Sequence, residues 1–370
     1  MGISLKPQHL NRYRQIAWLF VKYGRSDLVQ ETGFEETLDL EQCVSPKEAA
    51  KASELADDLE KLGPTFIKLG QLLSTRVELL PRAYLEALAR LQDKVEPFPF
   101  DEVEKIVSSE LGVRISKAFA EFDVTPIAAA SLGQVHRARL RDGRQVAVKV
   151  QRPKIRERML EDLDALDEIA EFLDKRTTAG KRYEFSQMLD QFRKSLLREL
   201  DYRMEATNLT TIGANLKEFE RIVVPVPVLD YSTSRVLTMQ YVHGKKITDL
   251  HPLGRMEFDG TALAEELFHA YLQQILVDGF FHADPHPGNV FITEEYRIAL
   301  IDLGMVGKIM PGLQEQLLQL LLAIAEGRGE DAAGIAVRIG DRKDDFDEKE
   351  FTHAIAEIVA QQQGATVDQM

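Results

Sequence analysis

Three oxygen-bearing side chains occur within one short stretch, "FHADPHPGNVFITEEYRIALIDLG", which runs from Phe281 to Gly304. Asn289 follows Asp284 by five positions, and Asp302 follows Asp284 by eighteen. Carboxylate and amide oxygens are ligands that hard cations accept in proteins. Two short apolar runs separated by "EEY" predict a small β-hairpin with a loop on either side. The sequence therefore predicts that this hairpin brings the three side chains to one cation-binding point.

A second candidate segment lies upstream, where "AAASLGQV" is followed by "VAVK" ending at Lys149. Gly133 and Val135 match the last two fixed positions of the phosphate-binding pattern GxGxxGxV, and alanines replace its first two glycines. A lysine on the strand that follows can pair with nucleotide phosphates. The segment predicts a nucleotide-binding loop whose main-chain amides approach the phosphates, at Ala128, Ala129, Ala130 and Ser131.

The sequence "LLRELDYRMEA" places Glu199, Asp201 and Glu205 close together. Asp201 and Glu205 are four positions apart and share a face if the segment is one helix. We expect one of these acids to pair with Lys149 and hold it extended, and the choice between Glu199 and Glu205 stays open. The alternative is that the acids form a solvated helix face.

Another polar strip lies on the apolar segment "FIKLGQLLSTR". Lys68, Gln71 and Thr75 have the spacing of one helix face. The strip either faces water or points into a site.

The order of these motifs is that of a kinase active site. Kinases use His-Arg-Asp, then Asn five positions after the Asp, then Asp-Phe-Gly. Here His282-Ala283-Asp284, Asn289 and Asp302-Leu303-Gly304 occupy those places. Two features count against an ordinary protein kinase. Ala283 replaces the arginine, and no long activation segment precedes the next predicted helix.

Periodicity predicts the elements that must position these residues. Ser45, Pro46 and Glu48 form a helix-start pattern, and Gly63-Pro64 ends the helix. Asp142-Gly143 lies between two alternating runs and predicts a hairpin. Strands are also predicted in "IVVPVPVLDY" and "RVLTMQYV". Further helices are predicted at about 64–75, from Pro81 onward, and at 101–111, 153–175, 185–215 and 259–278.

This order of elements predicts an α+β fold with two lobes. We expect a helical N-terminal extension over 1–112, a sheet-containing lobe with inserted helices over 113–242, and a helical lobe over 243–370.

Composition restricts the classes of function. The chain has 370 residues and a formal net charge of −14, which argues against a general nucleic-acid surface. Cys43 is the only cysteine, so no disulfide forms within the chain, as in a reducing compartment. No secretory signal pattern or membrane-spanning apolar run is apparent. These features predict a cytoplasmic protein.

The first thirty residues are basic in an otherwise acidic chain. Their cations lie among aromatic residues, and such a helix is typical of an anionic membrane surface. The alternative is a helix packed on its own protein with a solvated basic face. The residues concerned are Lys6, Arg12, Arg14, Trp18, Phe20, Lys22, Tyr23 and Arg25.

The set of motifs in this chain resembles that of the UbiB family of atypical kinase-like proteins, over roughly residues 10–340. The motifs are KLGQ, AAAS, VAVK, ELD, HADPHPGN and DLG. The resemblance implies a protein-kinase-like bilobal fold with a helical N-terminal extension that carries the KxGQ motif. It also implies binding of ATP or ADP with Mg²⁺ or Mn²⁺, ATPase activity, and support of ubiquinone biosynthesis with other proteins of that pathway. Many bacterial members continue into hydrophobic C-terminal helices, which this sequence lacks. We therefore expect peripheral association with the bacterial inner membrane or a chain that ends early.

The resemblance also implies residue roles. The KxGQ residues lie over the active site, and Glu199 and Asp201 match the ExD motif that faces them. Asp284 is the candidate base, and Asn289 with Asp302 is the candidate metal pair. "TMQYVHG" is expected to connect the lobes, with Gln240 to Val242 facing adenine. The candidate catalytic residues are Asp284, Lys149, Lys68 and Gln71. The candidate nucleotide-binding residues are Ala128 to Ser131, Gly133, Val135, Lys149, Glu199, Asp201, Glu205, Gln240 and Val242.

Two alternatives remain for the function. One is a kinase that phosphorylates a lipid or a quinone precursor. The other is a nucleotide-gated scaffold whose binding cycle, rather than hydrolysis, matters.

Overall fold

The computed structural model describes residues 10–23, 46–77, 79–91, 96–176, 184–249, 260–340, 342 and 346–367. Contacts between Cα atoms divide the chain into two compact units. The first unit comprises Met1–Met204 and Val228–Tyr241, and the second comprises Glu205–Pro227 and Val242–Met370. The mixture of helices and mainly antiparallel sheets confirms the predicted α+β class.

Helices dominate the N-terminal part of the first unit. The predicted helix of residues 46–62 is confirmed, whereas Ser45 and the side chain of Glu48 lie outside the described residues. Gly63 separates this helix from the next with a φ of 104°, a left-handed value that glycine tolerates. The helices are α1 (Leu10–Tyr23), α2 (Pro46–Leu62), α3 (Pro64–Ser74), α4 (Arg82–Ala89), α5 (Phe100–Leu111), the short α6 (Ile115–Ala118), α7 (Ile155–Arg176) and α8 (Phe185–Glu199).

One sheet forms the rest of the first unit. Its strands are β1 (Phe119–Phe122), β2 (Ala128–Ala129), β3 (Gly133–Leu140), β4 (Gln145–Gln151) and β6 (Val236–Gln240). The order is β1-β3-β4-β6, and β2 pairs with β3. The hairpin predicted at Asp142-Gly143 is confirmed, because β3 and β4 are antiparallel and Gly143 has a φ of 93°. Apolar residues of α5 and the sheet form one core, and those of α1, α2, α3, α7 and α8 form another.

The single helix predicted over 185–215 was wrong. Helix α8 ends at Glu199 and α9 (Tyr202–Asn215) begins after a break. Gln151 Nε2 donates to the carbonyl of Leu200 at 2.9 Å, and the Tyr202 amide donates to the carbonyl of Ser234 at 3.1 Å. The carboxylate of Asp201 accepts the Arg203 amide, as a helix N-cap does. Sheet contacts and this cap therefore divide the periodic pattern into two helices.

The described part of the second unit contains two small sheets. The four-stranded sheet has the order β5-β10-β9-β7, and β10 runs parallel to β5 and antiparallel to β9. The other sheet pairs β8 with β11 in antiparallel fashion. The hairpin predicted around "EEY" is confirmed as β9–β10, with Tyr296 at a φ of 56° in its turn. The strands are β5 (Ile222–Val223), β7 (Gly244–Lys246), β8 (Phe280–His282), β9 (Val290–Thr293), β10 (Ile298–Leu300) and β11 (Val306–Lys308).

Two further expectations for this part of the chain need correction. The strand predicted in "IVVPVPVLDY" reaches only Val223, because Pro225 and Pro227 lack the amide hydrogen that a sheet requires. The predicted helix that ends at Asp278 is α-helical only to Leu272 and then becomes π-helical. The helices are α10 (Gly260–Leu272), the π-helical segment Gln273–Asp278, α11 (Pro311–Ala325), α12 (Gly329–Ile339) and α13 (Glu348–Val367).

Candidate functional site

The β9–β10 hairpin brings Asn289 and Asp302 together. Val290 pairs with Leu300, and the amide of Ile301 donates to the carbonyl of Asn289 at 3.1 Å, so the two candidate ligands lie at the open end of the same hairpin. Asp302 Oδ1 accepts the amide of Gly304 at 3.1 Å, which fixes the carboxylate toward its own loop. Both residues are partly exposed, so a bound cation would remain reachable by a nucleotide.

The loop that carries Asp284 is joined to the same segment through the second sheet. His282 pairs with Val306, and the amide of Ala283 donates to the carbonyl of Met305 at 3.1 Å. Asp284 itself is exposed. The β8–β11 pairing thus ties the Asp284 loop to the chain that immediately follows Asp302-Leu303-Gly304.

Helix α9 supports the Asp302 loop from within the second unit. Asn208 is buried, and its Nδ2 donates to the carbonyl of Leu303 at 2.8 Å. A Cβ added to Gly304 would lie 3.2 Å from Asp302 Oδ1 and 3.9 Å from Glu205 Oε2. The carboxylates of Glu205 and Asp302 therefore approach the same glycine. Glu205 is only 4% exposed.

The loop predicted to hold phosphates lies in the first unit. Ala128 and Ala129 form β2, and the Ala130 amide donates to the carbonyl of Gly133 at 2.8 Å, which closes a tight turn. A Cβ on Gly133 would lie 2.4 Å from the carbonyl oxygen of Val150, so this position requires glycine. Ala130 is exposed, whereas Ser131 is fully buried.

Lys149 lies opposite that loop's strand. Its Cα pairs with Val135 on one side and Leu237 on the other, and its Nζ lies 5.1 Å from the ring centroid of Tyr202. The sheet register therefore brings Lys149 and Val135 together. The predicted pairing of Lys149 with Glu199 or Glu205 stays a prediction.

The KxGQ and ExD residues meet in an ion pair between Lys68 and Glu199. Lys68 Nζ lies 2.8 Å from Glu199 Oε1, and both side chains are about 15% exposed. Gln71 instead donates to the carbonyl of Leu91 at 3.2 Å, and Asp201 binds Arg203. The hydrogen bond from Arg203 lowers the pKa of the Asp201 carboxyl below its usual value. Since Glu199, Asp201 and Glu205 are divided between α8, the break and α9, the expectation that one helix carries them was wrong.

The predicted connecting segment coincides with a unit boundary. Gln240 ends β6 opposite Val146, and the Tyr241 amide donates to the carbonyl of Gln145 at 3.1 Å. The chain passes from the first unit to the second between Tyr241 and Val242.

Helix α1 packs on its own protein through part of its basic face. Arg12 binds the carboxylate of Asp162 and the carbonyl of Leu62, and Lys22 Nζ lies 2.7 Å from Asp58. Arg14 is exposed and Trp18 is half exposed. The alternative of a packed helix thus has direct support for Arg12 and Lys22. Lys6, Arg25 and the side chain of Phe20 lie outside the described residues.

Two properties of the described part of the chain bear on membranes and metals. None of its helices combines the length and apolar character that a membrane span requires. It also contains no cluster of three or more His, Cys, Asp and Glu side chains placed to bind a metal ion.

Sequence reasoning missed several residues that shape the site. Asn208 orients the Asp302 loop, and Tyr271 and Gln274 contact His282. A buried asparagine in a helix is a weak signal that a main-chain group needs a partner. Nothing in the sequence predicts the π-helical turn that places Gln274.

Comparison with known proteins adds an independent result. The family description "ABC1 atypical kinase-like domain" matches residues 90–336. The chain is 41% identical over 290 residues to the chloroplastic protein ACTIVITY OF BC1 COMPLEX KINASE 8 of Arabidopsis thaliana, and this match covers 77% of this chain and 38% of that protein. It is 35% identical over 324 residues to the probable protein kinase UbiB of Marinobacter nauticus, and this match covers 85% of this chain and 59% of that protein.

A solved structure is also similar. The complex of Rv3197 with erythromycin from Mycobacterium tuberculosis has a TM-score of 0.58 and 27% sequence identity, and the match covers 86% of this chain and 80% of that one. The chain therefore shares a fold with a solved protein over most of its length. It spans only 38% and 59% of the Arabidopsis and Marinobacter relatives.

Proposed function

The chain belongs to the ABC1 atypical kinase-like family, which includes UbiB proteins, and we propose that it is an ATPase that acts on a magnesium–nucleotide complex in support of quinone biosynthesis. The family membership and the kinase-like fold predicted from the motifs are confirmed. The observation that carries the proposal is the β9–β10 hairpin, which places Asn289 beside Asp302 while the β8–β11 pairing holds the Asp284 loop on the same chain segment.

The donor set fits a small hard cation. Asn289 and Asp302 supply too few ligands for a closed protein site, and magnesium is usually held by one or two carboxylates plus phosphate and water oxygens. In the proposed site Asp302 and Asn289 hold the cation. When bound, the cation neutralises negative charge on the phosphates during phosphoryl transfer. Manganese offers the same preference for oxygen ligands.

The protein's own residues supply the remaining functions. Lys149 contacts the α- and β-phosphates, and the main-chain amides of the Ala128–Ser131 loop approach the nucleotide. Asp284 orients the attacking water or hydroxyl and accepts its proton. Gln240 to Val242 offer main-chain groups to adenine. We propose Glu205 as the ion-pair partner of Lys149, because Glu199 is already paired with Lys68.

An ordinary protein-kinase reaction is a poorer explanation. Ala283 stands where an arginine would anchor an activation segment, and the chain proceeds from Gly304 through the short strand β11 to α11 at Pro311. That passage is too short for a platform that binds a protein substrate. We therefore expect the wild type to transfer little phosphate to generic proteins.

The quinone pathway is proposed from the name of the UbiB relatives. The test is quinone profiling of a deletion strain that expresses either wild type, Asp284→Asn or Asp302→Asn. An ATPase that must turn over requires both carboxylates, so both variants should fail to restore the quinone. The scaffold alternative predicts that Asp284→Asn restores it and Asp302→Asn does not. A phosphorylated quinone precursor that accumulates only with wild type would instead favour the small-molecule kinase.

Peripheral membrane association at the cytoplasmic face is proposed from α1. Because Arg12 and Lys22 bind Asp162 and Asp58, we assign membrane contact to Arg14 and Trp18. Each basic residue near an anionic surface contributes about 1 kcal/mol. Co-sedimentation with phosphatidylglycerol vesicles should weaken at high salt and in Arg14→Glu/Trp18→Ala, with exposed Lys194→Glu on α8 as control. Equal sedimentation of all three proteins would exclude this role for α1.

A further inference from the structure

A buried pair of side chains lies next to the Asp284 loop. The hydroxyl of Tyr271, on α10, lies 3.2 Å from Nδ1 of His282. His282 is 1% exposed and precedes Asp284 by two positions. Its other ring nitrogen, Nε2, is buried, and the ring also interacts with the main chain of Asp302. A buried imidazole needs contacts of this kind to hold one orientation.

The main chain of the same histidine is also held from the helix that precedes it. Gln274 Oε1 accepts the amide of His282 at 3.0 Å, and Gln274 Nε2 donates to the carbonyl of Ala270 at 3.1 Å. Gln274 is fully buried and lies in the π-helical segment. Tyr271 therefore contacts the ring of His282, and Gln274 holds its main chain, from neighbouring helical turns.

Charge and proton counting select one tautomer of His282. Burial disfavours the charged form of His282 and lowers its pKa, while the carboxylates of Asp302 and Asp284 and a hydrogen bond to the Asp302 main chain act in the opposite direction. Burial, together with the charge of Asp284, raises the pKa of Tyr271 to about 12, so its hydroxyl keeps its proton. A neutral imidazole has one donor and one acceptor nitrogen, and the hydroxyl can serve either.

The two tautomers differ in how many polar groups stay unsatisfied. If Nδ1 carried the hydrogen and donated to Tyr271, the hydroxyl proton would have no acceptor among the described residues, and Nε2 would bury a bare lone pair. If Tyr271 donates to Nδ1, the hydrogen lies on Nε2, and the main-chain carbonyl of Asp302 and the negative potential of two carboxylates favour a ring N–H. The second arrangement is therefore favoured.

We propose that Tyr271 is a positioning residue of the candidate catalytic loop, donating to Nδ1 of His282 to fix its Nε2–H tautomer while Gln274 fixes the main chain two positions before Asp284. The catalytic part of this inference rests on the proposed role of Asp284. Neither Tyr271 nor Gln274 is required to touch a nucleotide. Loss of the hydroxyl should therefore change turnover more than binding.

The first test reads the tautomer directly. Protein labelled with ¹⁵N-histidine is studied by long-range ¹H–¹⁵N correlation, and the ring of His282 is assigned as the signal lost in His282→Gln. Wild type should show the Nε2–H pattern, and Tyr271→Phe should shift it toward the other tautomer or a mixture. A Nδ1–H pattern in wild type, or a pattern unchanged in Tyr271→Phe, would overturn the inference. The wild-type spectrum identifies the tautomer of His282 even if the Tyr271→Phe variant does not fold.

The second test separates positioning from stability. Tyr271→Phe should lower nucleotide turnover roughly tenfold, as expected for a slightly misplaced catalytic group, with the ATP dissociation constant within about twofold of wild type. Tyr231→Phe is the matched control, since it removes a tyrosine hydrogen bond to the carbonyl of Ala118 in the first unit. Equal loss of turnover in both variants would show a general stability effect and overturn the positioning role. If wild type has no turnover, the proposed ATPase activity is wrong. The tautomer assignment is then judged by the first test alone.

Discussion

The candidate residues of the two units are stabilised in different ways. In the first unit, Lys68 pairs with Glu199 at 2.8 Å, Gln71 binds a main-chain carbonyl, and Lys149 lies over the ring of Tyr202. In the second unit, Asp284 is exposed on a loop, and the carboxylates of Asp302 and Glu205 approach Gly304. The first set is held by side-chain contacts, and the second brings a loop carboxylate and a helix carboxylate to one glycine.

This difference leads us to expect that the two sets of residues respond differently to a cation. Carboxylates brought close together repel one another, and a bound cation reduces that repulsion. In the first unit, Lys68 and Glu199 already carry opposite charges at ion-pair distance. We therefore expect cation binding to stabilise the second unit most, and substitutions in the first unit to act mainly through packing and loop geometry.

The largest expected effect is in the second unit. Asp302→Asn should abolish magnesium-dependent ATP binding, with at least about a 100-fold weaker dissociation constant, because the amide supplies no charge to the cation. The fold should remain intact, since an amide oxygen still accepts the Gly304 amide. A thermal shift with ATP and magnesium measures this, with Asp284→Asn as the control that keeps binding. An ATP-dependent shift in Asp302→Asn equal to that of wild type would remove the metal assignment.

The next effect tests the balanced pair of the first unit. Lys68→Met or Glu199→Gln should each destabilise the protein by about 2 kcal/mol, because each removes the ion pair between two largely buried side chains. The double variant should recover part of that loss. Urea unfolding of all four proteins gives the coupling free energy. The exposed pair Arg82 and Glu86 is the matched control, where coupling should be about 0.5 kcal/mol or less. Equal coupling in both cycles would contradict the comparison.

A smaller effect depends on pH and concerns a buried histidine of the first unit. His136 Nδ1 contacts the carbonyl of Asp123 at 2.7 Å, and Gln134 contacts Nε2 at 3.0 Å. Burial lowers the pKa of His136 in the folded protein, so unfolding takes up a proton at acidic pH. Its contribution to stability is present above the unfolded pKa of about 6.5 and is lost as pH falls toward the folded value, by at most about 1.4 kcal/mol per pH unit.

Urea unfolding at pH 7.5 and 5.5 measures this effect. His136→Gln should reduce the pH dependence of the unfolding free energy, and His269→Gln, at an exposed position, should leave it unchanged. His282 in the second unit contributes in the same direction, so part of the dependence should survive in His136→Gln. A dependence that His136→Gln leaves intact would assign the whole effect to other groups.

The smallest effect is expected in the alanine loop. Ala130→Gly should change the ratio of ATP to ADP affinity by a few-fold or alter autophosphorylation, because glycine permits closer approach of the backbone to phosphate. Ala130 is exposed, so the change removes little packing. Dissociation constants for both nucleotides and an autophosphorylation assay measure it. Identical values for wild type and variant would show that the alanines have no special role.

Local signals predicted the parts of the fold that local chemistry determines. The hairpin at Asp142-Gly143 and the β9–β10 hairpin were confirmed because short polar turns between apolar runs determine strand pairing. The adjacency of Asn289 and Asp302 follows from that second hairpin. The kinase-like order of motifs was sufficient to predict the fold class, since each motif needs its own strand or helix.

Contacts between distant segments account for what could not be predicted. The break after Glu199 depends on Gln151 and on the main chain of Ser234, which are far apart in sequence. Only Asp201, as an N-cap, gave a local signal of that break. The engagement of Gln71 with Leu91 and the contact of Tyr271 with His282 likewise depend on tertiary packing. No periodicity encodes such contacts.

The interleaved path of the chain has a consequence for its synthesis. Strand β6 completes the sheet of the first unit, yet α9 and β5 leave the ribosome before it. Until residues 236–240 emerge, the edge of β4 has no neighbour on that side, and the main-chain groups that pair with β6 stay unpaired. Unpaired strand edges of this kind promote misassembly of nascent chains. Translation pausing before this point should therefore increase the requirement for chaperones more than pausing after it.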